Sequence, residues 1–585
     1  MGGRSADNDT VQTQAQYTPT RTIINSRAGP VDLVITFLSA LDLTGEKTND
    51  LVRLSLPFSY LSVSAVSNDG GSHAVSVYAD ISGVGSVISQ DKSGRLLLLV
   101  LEWITSDTGD PAVWSTDANG AFSFTKCHFE TLTSGTTWQT GAETPIRDTF
   151  LRSGTLRNTI DTDFRPVNDT WPIMAIAQDL GEVATQAQVV TFTVGHSRDP
   201  AVKYFSEAGS LCGLEYDNAR TASVEFDNRV QNDAARYSPD YASVVALATR
   251  QAFASIEIAL NGTGPAADLQ DIKLFTKDAA ADNTGSSRDG VLSSVDSLYS
   301  IMPMLIYTNP NLGNYALASF FEYPQTRAES YALHDLVRYV QCLTMLYAIA
   351  DRSTTRVPAT ANMIIMTYAF MRYTGDAKLA AKHYYTLKAW ADYLVSNALV
   401  HSDQLTGDWF MTTGVSNQTN LALKGLIALK MNEDGQDAAK SGLEQWMELS
   451  KLGTKFRYES SSEQPQLLHG LYADKILGLN FVPESVYAAQ RTQWATGTKS
   501  FGVPFNEQYS ITNIPWQYFT LAAMITGDTS LLNSAPFVPI KNFTSKAQDN
   551  IYGLADVYDS ITGIASPGYG LRGNVGGSYA LLALG

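Results

Sequence analysis

Cysteine is scarce in this chain. Its 585 residues hold three, Cys127, Cys212 and Cys342, too few for a disulfide framework and without the C-x-x-C spacing of a zinc or thioredoxin-like site. Histidine is nearly as rare, with seven copies and no HxH or HExxH pair, so a histidine metal centre has no support in the sequence. Basic charge is short as well. Lys and Arg total 41 against 58 Asp and Glu, a net charge of −17 and a pI near 4.9, which argues against a basic face for nucleic acid. Long apolar runs are missing too. A membrane-spanning helix needs roughly 20 apolar residues, and the longest obvious run, Leu96 to Ile104, is interrupted by Glu102. The first residues, MGGRSADNDTVQTQ, are polar and lack the apolar segment of a signal peptide.

What remains is globular composition, 44% hydrophobic and 10% aromatic, in a chain too long for one core, so two or more domains are expected. Up to about residue 200 the pattern is β. Stretches 31–41, 60–67, 73–81, 95–104, 120–129 and 187–197 are rich in Val, Thr and aromatics, often alternate, and are separated by Gly, Asn, Asp and Ser. This spacing predicts a β-sandwich over 1–214. From 215 to 585 helical spacing takes over. Ser238-Pro239-Asp240 opens a helix candidate reaching Leu260, Asp376 can cap a second that runs to Ala398, and others fall near 328–347, 360–373, 417–431, 436–452, 464–478, 483–494 and 515–526. Short turns between them imply antiparallel helical hairpins and, with the sandwich before them, an (α/α) toroid around a central pocket.

Twelve segments, in order along nearly the whole chain, resemble the fungal glutaminase A family. They include AGPVDLVITFLS (28–39), LPFSYLSVSAVSNDGGSHAVSVYADISG (56–83), FRPVNDTWPIMAIAQDLG (164–181), SPDYASVVALATRQAF (238–253), FFEYPQ (320–325), YALHDL (331–336), NMIIMTYAF (362–370), NQTNLALKG (417–425), LYADKILGLNFVPESVY (471–487) and VGGSYALLAL (575–584). The resemblance implies an extracellular enzyme that removes the side-chain amide of L-glutamine without a cofactor, built from an amino-terminal β domain and a six-hairpin helical domain. Three departures stand out. The chain enters the family pattern inside the β domain, so a truncated sandwich with exposed strand edges is expected. Similarity drops abruptly over 337–361, as a reading-frame or splice change would produce, and the family's paired glutamates fall on Pro358 and Ala359. A family Asp before Trp516 is Pro515.

Amide hydrolysis needs an activated water or nucleophile, a base, an acid for the leaving ammonia and donors for the oxyanion. Within the YALHDL motif, Asp335 can activate water and His334 can shuttle a proton; the bland reading makes Asp335 a helix cap or an arginine partner. Asp408, in TGDWF, is the next carboxylate candidate, though Asp beside Gly is also ordinary turn chemistry. Asn417, Asn420 and Lys424 lie at i, i+3 and i+7, one helix face that could hold an amino acid's carboxylate. Arg250 and Gln251 sit in an apolar helix and must find partners, in substrate or in a neighbouring element. Asp296, in SSVDSLY, is a helix-start carboxylate for which capping is the simpler role.

Five Asn-x-Ser/Thr sequons, at Asn8, Asn168, Asn261, Asn417 and Asn542, suit secretion but also arise by chance; Asn168, Asn261, Asn417 and Asn542 are the candidate glycan sites, and a glycan on Asn417 would exclude it from a pocket. The GxGxxG match at 568–573 lacks a strand-helix context and reads as a turn before the last helix. The SxxK match at 89–92 sits in the β region. Two rival functions stay open: a glycoside hydrolase-like toroid, and a catalytically inactive member of the family.

Overall fold

The computed structural model describes residues 10–39, 41, 58–82, 96–97, 100–104, 121–126, 135–161, 170–197, 202–203, 207–209, 216–261, 268–280, 288–323, 329–338, 355–404, 416–459, 461–507, 509–546, 553–567, 569–570 and 572–585. They fall in two compact units, Met1–Asp227 with Ala259–Ile272, and Asn228–Ile258 with Lys273–Gly585. Cys127, Cys212, Cys342, Asn8, Asn168, Asp408 and the SxxK match lie outside the described residues.

The first unit is antiparallel. Strands β1 (Val11–Tyr17), β2 (Arg21–Ala28), β3 (Val31–Ser39), β4 (Phe58–Ser67), β5 (His73–Ser82), β6 (Leu96–Leu97), β7 (Val100–Ile104), β8 (Ala121–Lys126), β9 (Thr136–Ala142), β10 (Pro172–Val183) and β11 (Gln188–Ser197) form two sheets, one ordered β1-β2-β3-β4-β11-β8-β7-β6 and one ordered β5-β10-β9. Period-2 alternation builds one core from both. Val31, Val63, Ala65, Val190 and Phe192 from the larger sheet meet Ala79, Met174, Ile176, Leu180 and Val183 from the smaller. The intervening residues of β10, Ile173, Ala175 and Ala177, point the other way and pack against Ile146 and Phe150 of helix α1 (Glu143–Ser153). Being covered on both faces is why β10 reads as a continuous apolar run.

The second unit is mainly helical. Helix α2 (Tyr216–Ala235) leads into it, followed by α3 (Pro239–Ala254), α4 (Val295–Thr308), α5 (Asn311–Glu322), α6 (Arg356–Thr374), α7 (Lys378–Lys382), α8 (Tyr384–Asn397), α9 (Thr419–Lys430), α10 (Gln436–Ser450), α11 (Leu471–Leu477), α12 (Glu484–Gly497), α13 (Ile514–Ile525), α14 (Val538–Ser545), a 3₁₀ segment (Gly573–Tyr579) and α15 (Ala580–Ala583). Six of these pack in a closed circuit: α4 on α6, α6 on α9, α9 on α11, α11 on α13, α13 on the 3₁₀ segment, and that segment back on α4. A second layer covers them, with α5 and α8 against α6, α10 against α9, α12 against α13, and α3 against the 3₁₀ segment. Helices of the circuit are mostly apolar and buried on most sides, as interior helices are; every residue of α13 is buried.

Four helix expectations need correction. The helix from Asp240 ends at Ala254, where the Ser255 N–H and hydroxyl turn back to Ala252 O, and β-branched Ile256 and Ile258 begin strand β14 (Ile256–Asn261), which follows the short β12 (Val202–Lys203) and β13 (Glu207–Gly209) in the chain. Strands also occupy the helical half, β15 (Asp268–Ala280) pairing with β16 (Arg288–Ser294) and β16 with β17 (Asp335–Arg338). So the helix expected over 328–347 is, where described, a turn and a strand; 339–347 lie outside the described residues. The helix capped by Asp376, whose Oδ1 accepts from Lys378 N at 2.8 Å, breaks at His383. Only Leu471–Leu477 of 464–478 is helical.

Close approach in the circuit depends on Gly577, which has no side chain. A Cβ on Gly577 would lie 2.5 Å from Pro515 Cβ, 2.8 Å from Pro515 Cα and 3.0 Å from Ser300 O. Rigid neighbours from α13 and α4 leave nothing to give way, so Gly577→Ala is expected to cost about 1 to 3 kcal/mol as overpacking, seen as a lower midpoint in denaturant unfolding at unchanged slope.

Candidate active site

Polar side chains gather where the first two turns of the circuit's helices meet. Strand register does the first part of the work. Ser294, the last residue of β16, pairs with Asp335, the first of β17, and Val295 N donates to His334 O at 2.8 Å. This pairing sets His334 and Asp335 beside Asp296, one residue into α4. The imidazole lies between two carboxylates: Nδ1 is 2.8 Å from Asp335 Oδ1 and Nε2 is 3.0 Å from Asp296 Oδ2. Asp296 Oδ1 accepts from Asn362 Nδ2 at 3.0 Å, and Asn362 Oδ1 accepts from Lys424 Nζ at 3.1 Å. Five side chains from α4, α6, α9 and the β17 edge thus form one hydrogen-bonded line.

Burial alone would strip charge from these groups, and their neighbours reverse that. Burial pushes the Asp296 carboxyl up, but His334, with Lys424 and Arg572 behind it, holds it below the usual carboxylate range. Burial likewise opposes protonation of His334, yet Asp335 and Asp296 on either side hold its pKa well above the ordinary imidazole value. The stable state near neutrality is an imidazolium donating at both nitrogens to two carboxylates. Both carboxylates are largely enclosed, with side-chain exposures of 10% for Asp296 and 14% for Asp335.

The rim is partly aromatic. Lys424 Nζ lies 4.8 Å from the Tyr299 ring centroid, and Tyr299 packs edge-on against Phe519. His469 stacks near Trp516 at 4.8 Å and Phe505 at 6.0 Å, its pKa driven well below the ordinary value by burial and then by the Lys424 charge. Asn420 Nδ2 donates to Leu467 O at 2.8 Å and its Oδ1 accepts from Gly470 N at 3.0 Å, which fixes the His469 segment one turn from Lys424. On the far side Asp556 Oδ2 accepts from Arg572 at 3.2 Å and from Asn574 at 3.0 Å, all three buried. The site therefore lies near the amino-terminal ends of several helices, and Asp296 sits in the first turn of α4, where the dipole favours negative charge.

Of the residues the sequence singled out, the structure brings together Asp296, His334, Asp335, Asn420 and Lys424. Asn417 is not on their helix. It holds a left-handed φ of 51° in the turn before α9 and its Oδ1 accepts from His401 N at 3.0 Å; Gln418 caps the helix in its place. Gln251 is held by backbone: its Nε2 donates to Leu554 O and Arg572 O at 2.7 and 2.9 Å, and its Oε1 accepts from Leu554 N at 2.9 Å. It anchors the backbone of Arg572. Arg250 is half-buried on α3. Pro358 and Ala359 are buried in the first turn of α6, one turn before Asn362. Asn542 is exposed on α14, and Asn261 ends β14. Tyr299, Asn362, His469, Asp556, Arg572 and Asn574 went unlisted among the sequence candidates, although Asn362 interrupts an apolar run, which is itself a signal. Among the described residues, no group of three or more His, Cys, Asp or Glu is disposed to hold a metal ion, and no helix is long and apolar enough to cross a membrane.

The family model of the glutaminase A six helical-hairpin domain matches residues 238–582, more than half of the chain. The chain belongs to that family. Residues 20–215 match a second model, a domain of unknown function, DUF5127. Glutaminase A of Aspergillus oryzae is 29% identical over 644 residues, covering 98% of this chain and 86% of that protein. A protein of Arthroderma benhamiae named "Probable glutaminase" is 22% identical, covering 95% of this chain and 77% of its own. In fold, the chain is similar to a bacterial glucoamylase solved with acarbose, at a TM-score of 0.52 and 10% identity, covering 99% of this chain and 85% of that one.

Proposed function

We propose that this chain is an amidohydrolase that converts L-glutamine to L-glutamate and ammonia, with Asp335 as the base and His334 as the proton carrier. The observation that carries the reading is the Asp335–His334–Asp296 line inside the domain that the family model covers. Two relatives named as glutaminases support it.

In the reaction Asp335 takes a proton from water as the water oxygen bonds the amide carbon. The carbon–nitrogen bond then breaks, a proton passes from the His334–Asp335 pair to the nitrogen, and ammonia departs. Asp296 holds the imidazole in place and keeps it charged. The positive field of the helix ends and Lys424 suits the oxyanion and the substrate's own carboxylate. The chemistry needs no cofactor. Arg250 and Asp408 stand as further substrate and acid candidates. We read the two sheets as a β-sandwich and the closed circuit as the inner ring of an (α/α) toroid, and the exposed sequon at Asn542 fits a secreted glycoprotein.

The likeness to a glucoamylase bears on fold alone. Ammonia release from L-glutamine, run beside reducing-sugar release from maltooligosaccharides, separates the two activities. Asp335→Asn is expected to lower kcat for ammonia by 10²- to 10⁴-fold, the span typical of a lost general base, with an unchanged circular dichroism spectrum. Sugar release, or an Asp335→Asn variant as active as the wild type, would sink the assignment. A folded wild-type chain releasing neither product would mark an inactive family member.

A further inference from the structure

We infer that Asn362 is a positioning residue for Asp296, passing the pull of the Lys424 ammonium to the carboxylate that faces His334. The kinetic consequence rests on the amidase reading above; the physical content does not. Asn362 is fully enclosed on α6, followed by the buried apolar run Met363, Ile364, Ile365 and Met366. A primary amide there is costly unless both of its ends are satisfied, and here they are satisfied by opposite charges. Its oxygen accepts from Lys424 at 3.1 Å and its nitrogen donates to Asp296 at 3.0 Å. Rotating the amide by half a turn would set N–H against ammonium and oxygen against carboxylate, so the charges fix its orientation.

Asn362 therefore joins the two ions without adding charge, and the polarised bonds reinforce each other in a dry site. Asp296 is gripped at both oxygens, Oδ1 by Asn362 and Oδ2 by His334, which fixes the orientation of the carboxylate. The charged and titratable groups around this line are Asp335 from β17, Lys424 from α9, His469 before α11, Arg572 with its partner Asp556, and Tyr299 on α4 itself. None of them contacts Asp296 Oδ1 in place of the amide among the hydrogen bonds described.

The test uses the full-length protein with ¹⁵N-labelled histidine, in which His334 is assigned from the signal lost in His334→Gln. Asn362→Leu keeps the branching at Cγ in a somewhat larger side chain and removes both bonds; Lys424→Met removes the charge from the neighbouring helix and supplies the same readout should Asn362→Leu not fold. With the donor gone the enclosed Asp296 binds a proton more readily. Both variants are expected to raise, by about one pH unit, the acid-side midpoint at which the His334 Nε2 resonance responds, and the double variant adds no further shift because the two act through one path. With L-glutamine as substrate, Asn362→Leu lowers kcat about 10- to 100-fold while KM stays within about threefold, and the acid limb of its pH profile moves by the same unit. Variants that titrate as the wild type does overturn the inference, whatever their stability. A wild type with the expected ring titration and no ammonia release overturns the amidase reading and leaves the role of Asn362 standing.

Discussion

Asp227→Ala is expected to destabilise the first unit by about 3 to 5 kcal/mol, the scale for removing one partner of a buried ion pair. The carboxylate has no solvent exposure and accepts four hydrogen bonds, from Thr18 Oγ1 at 2.6 Å, Thr20 N at 2.8 Å, Thr20 Oγ1 at 2.9 Å and Arg21 Nε at 2.8 Å. It fastens the turn between β1 and β2 to α2. Truncation strands a backbone N–H, two hydroxyls and a guanidinium where water cannot replace the lost acceptor. The reciprocal change is milder. Arg21 is partly exposed, and Arg21→Met leaves Asp227 three of its donors, so about 1 to 2 kcal/mol is expected. Thermal unfolding followed by near-ultraviolet circular dichroism checks both. Equal losses from the two variants would mean that the charge pair, rather than the enclosed acceptor, does the fastening.

Much of this fold could be read from the chain, and the limits have physical causes. Alternation marked strands 31–41, 60–67, 73–81 and 187–197 because each sets apolar side chains on the shared core and mostly polar ones, such as Ser62, Thr191 and Thr193, on its other face; the structure has them at Val31–Ser39, Phe58–Ser67, His73–Ser82 and Gln188–Ser197. β10 went unseen because it is buried on both sides and carries no alternation. Helical spacing found α10 and α12, which have one apolar and one wet face, within a few residues of their ends. It overran at Ala254 and His383, where local hydrogen bonds stop a pattern that side-chain spacing alone would continue. It also passed over the β-sheet pairing of β16 with β17, which is a contact between distant segments.

The same distinction applies to the site. His334 and Asp335 are adjacent, and Asn420 and Lys424 are one turn apart, so their association was visible in the sequence. Asp296 and Asn362 are 66 residues apart, and Asn362 and Lys424 are 62. Only the closed packing of α4, α6 and α9 brings them into contact. The family's glutamate pair gives a further case. Ala359 is fully enclosed in the first turn of α6, so a carboxylate placed there alone would enter a site with no room made for it.

Acidification is expected to loosen the second unit between about pH 6.5 and 4, and His401 is the main cause. Burial pushes its pKa down to about 4 against an ordinary value of 6.5. Both ring nitrogens are used by the neutral form: Nδ1–H donates to Ala398 O at 3.1 Å, and Nε2 accepts from Gln418 N–H at 2.9 Å. A second proton would set N–H against N–H at Gln418. Below pH 6.5 the unfolded chain takes up that proton and the folded chain does not, so the unfolded state binds more protons and stability falls with falling pH, by on the order of 3 kcal/mol before pH 4. His469 acts in the same direction. Asp296 adds its loss only at more acid pH, because its lowered pKa keeps it ionised through this window, and His334, with its raised pKa, contributes stability that is lost only on the alkaline side. The consequence reaches the site, since Gln418 caps α9 and α9 carries Asn420 and Lys424. His401→Gln, whose amide nitrogen can donate and whose oxygen can accept without titrating, should flatten the fall in melting temperature between pH 6.5 and 4 while lowering stability at pH 7. A variant whose melting temperature tracks the wild type across that range would place the acid sensitivity elsewhere.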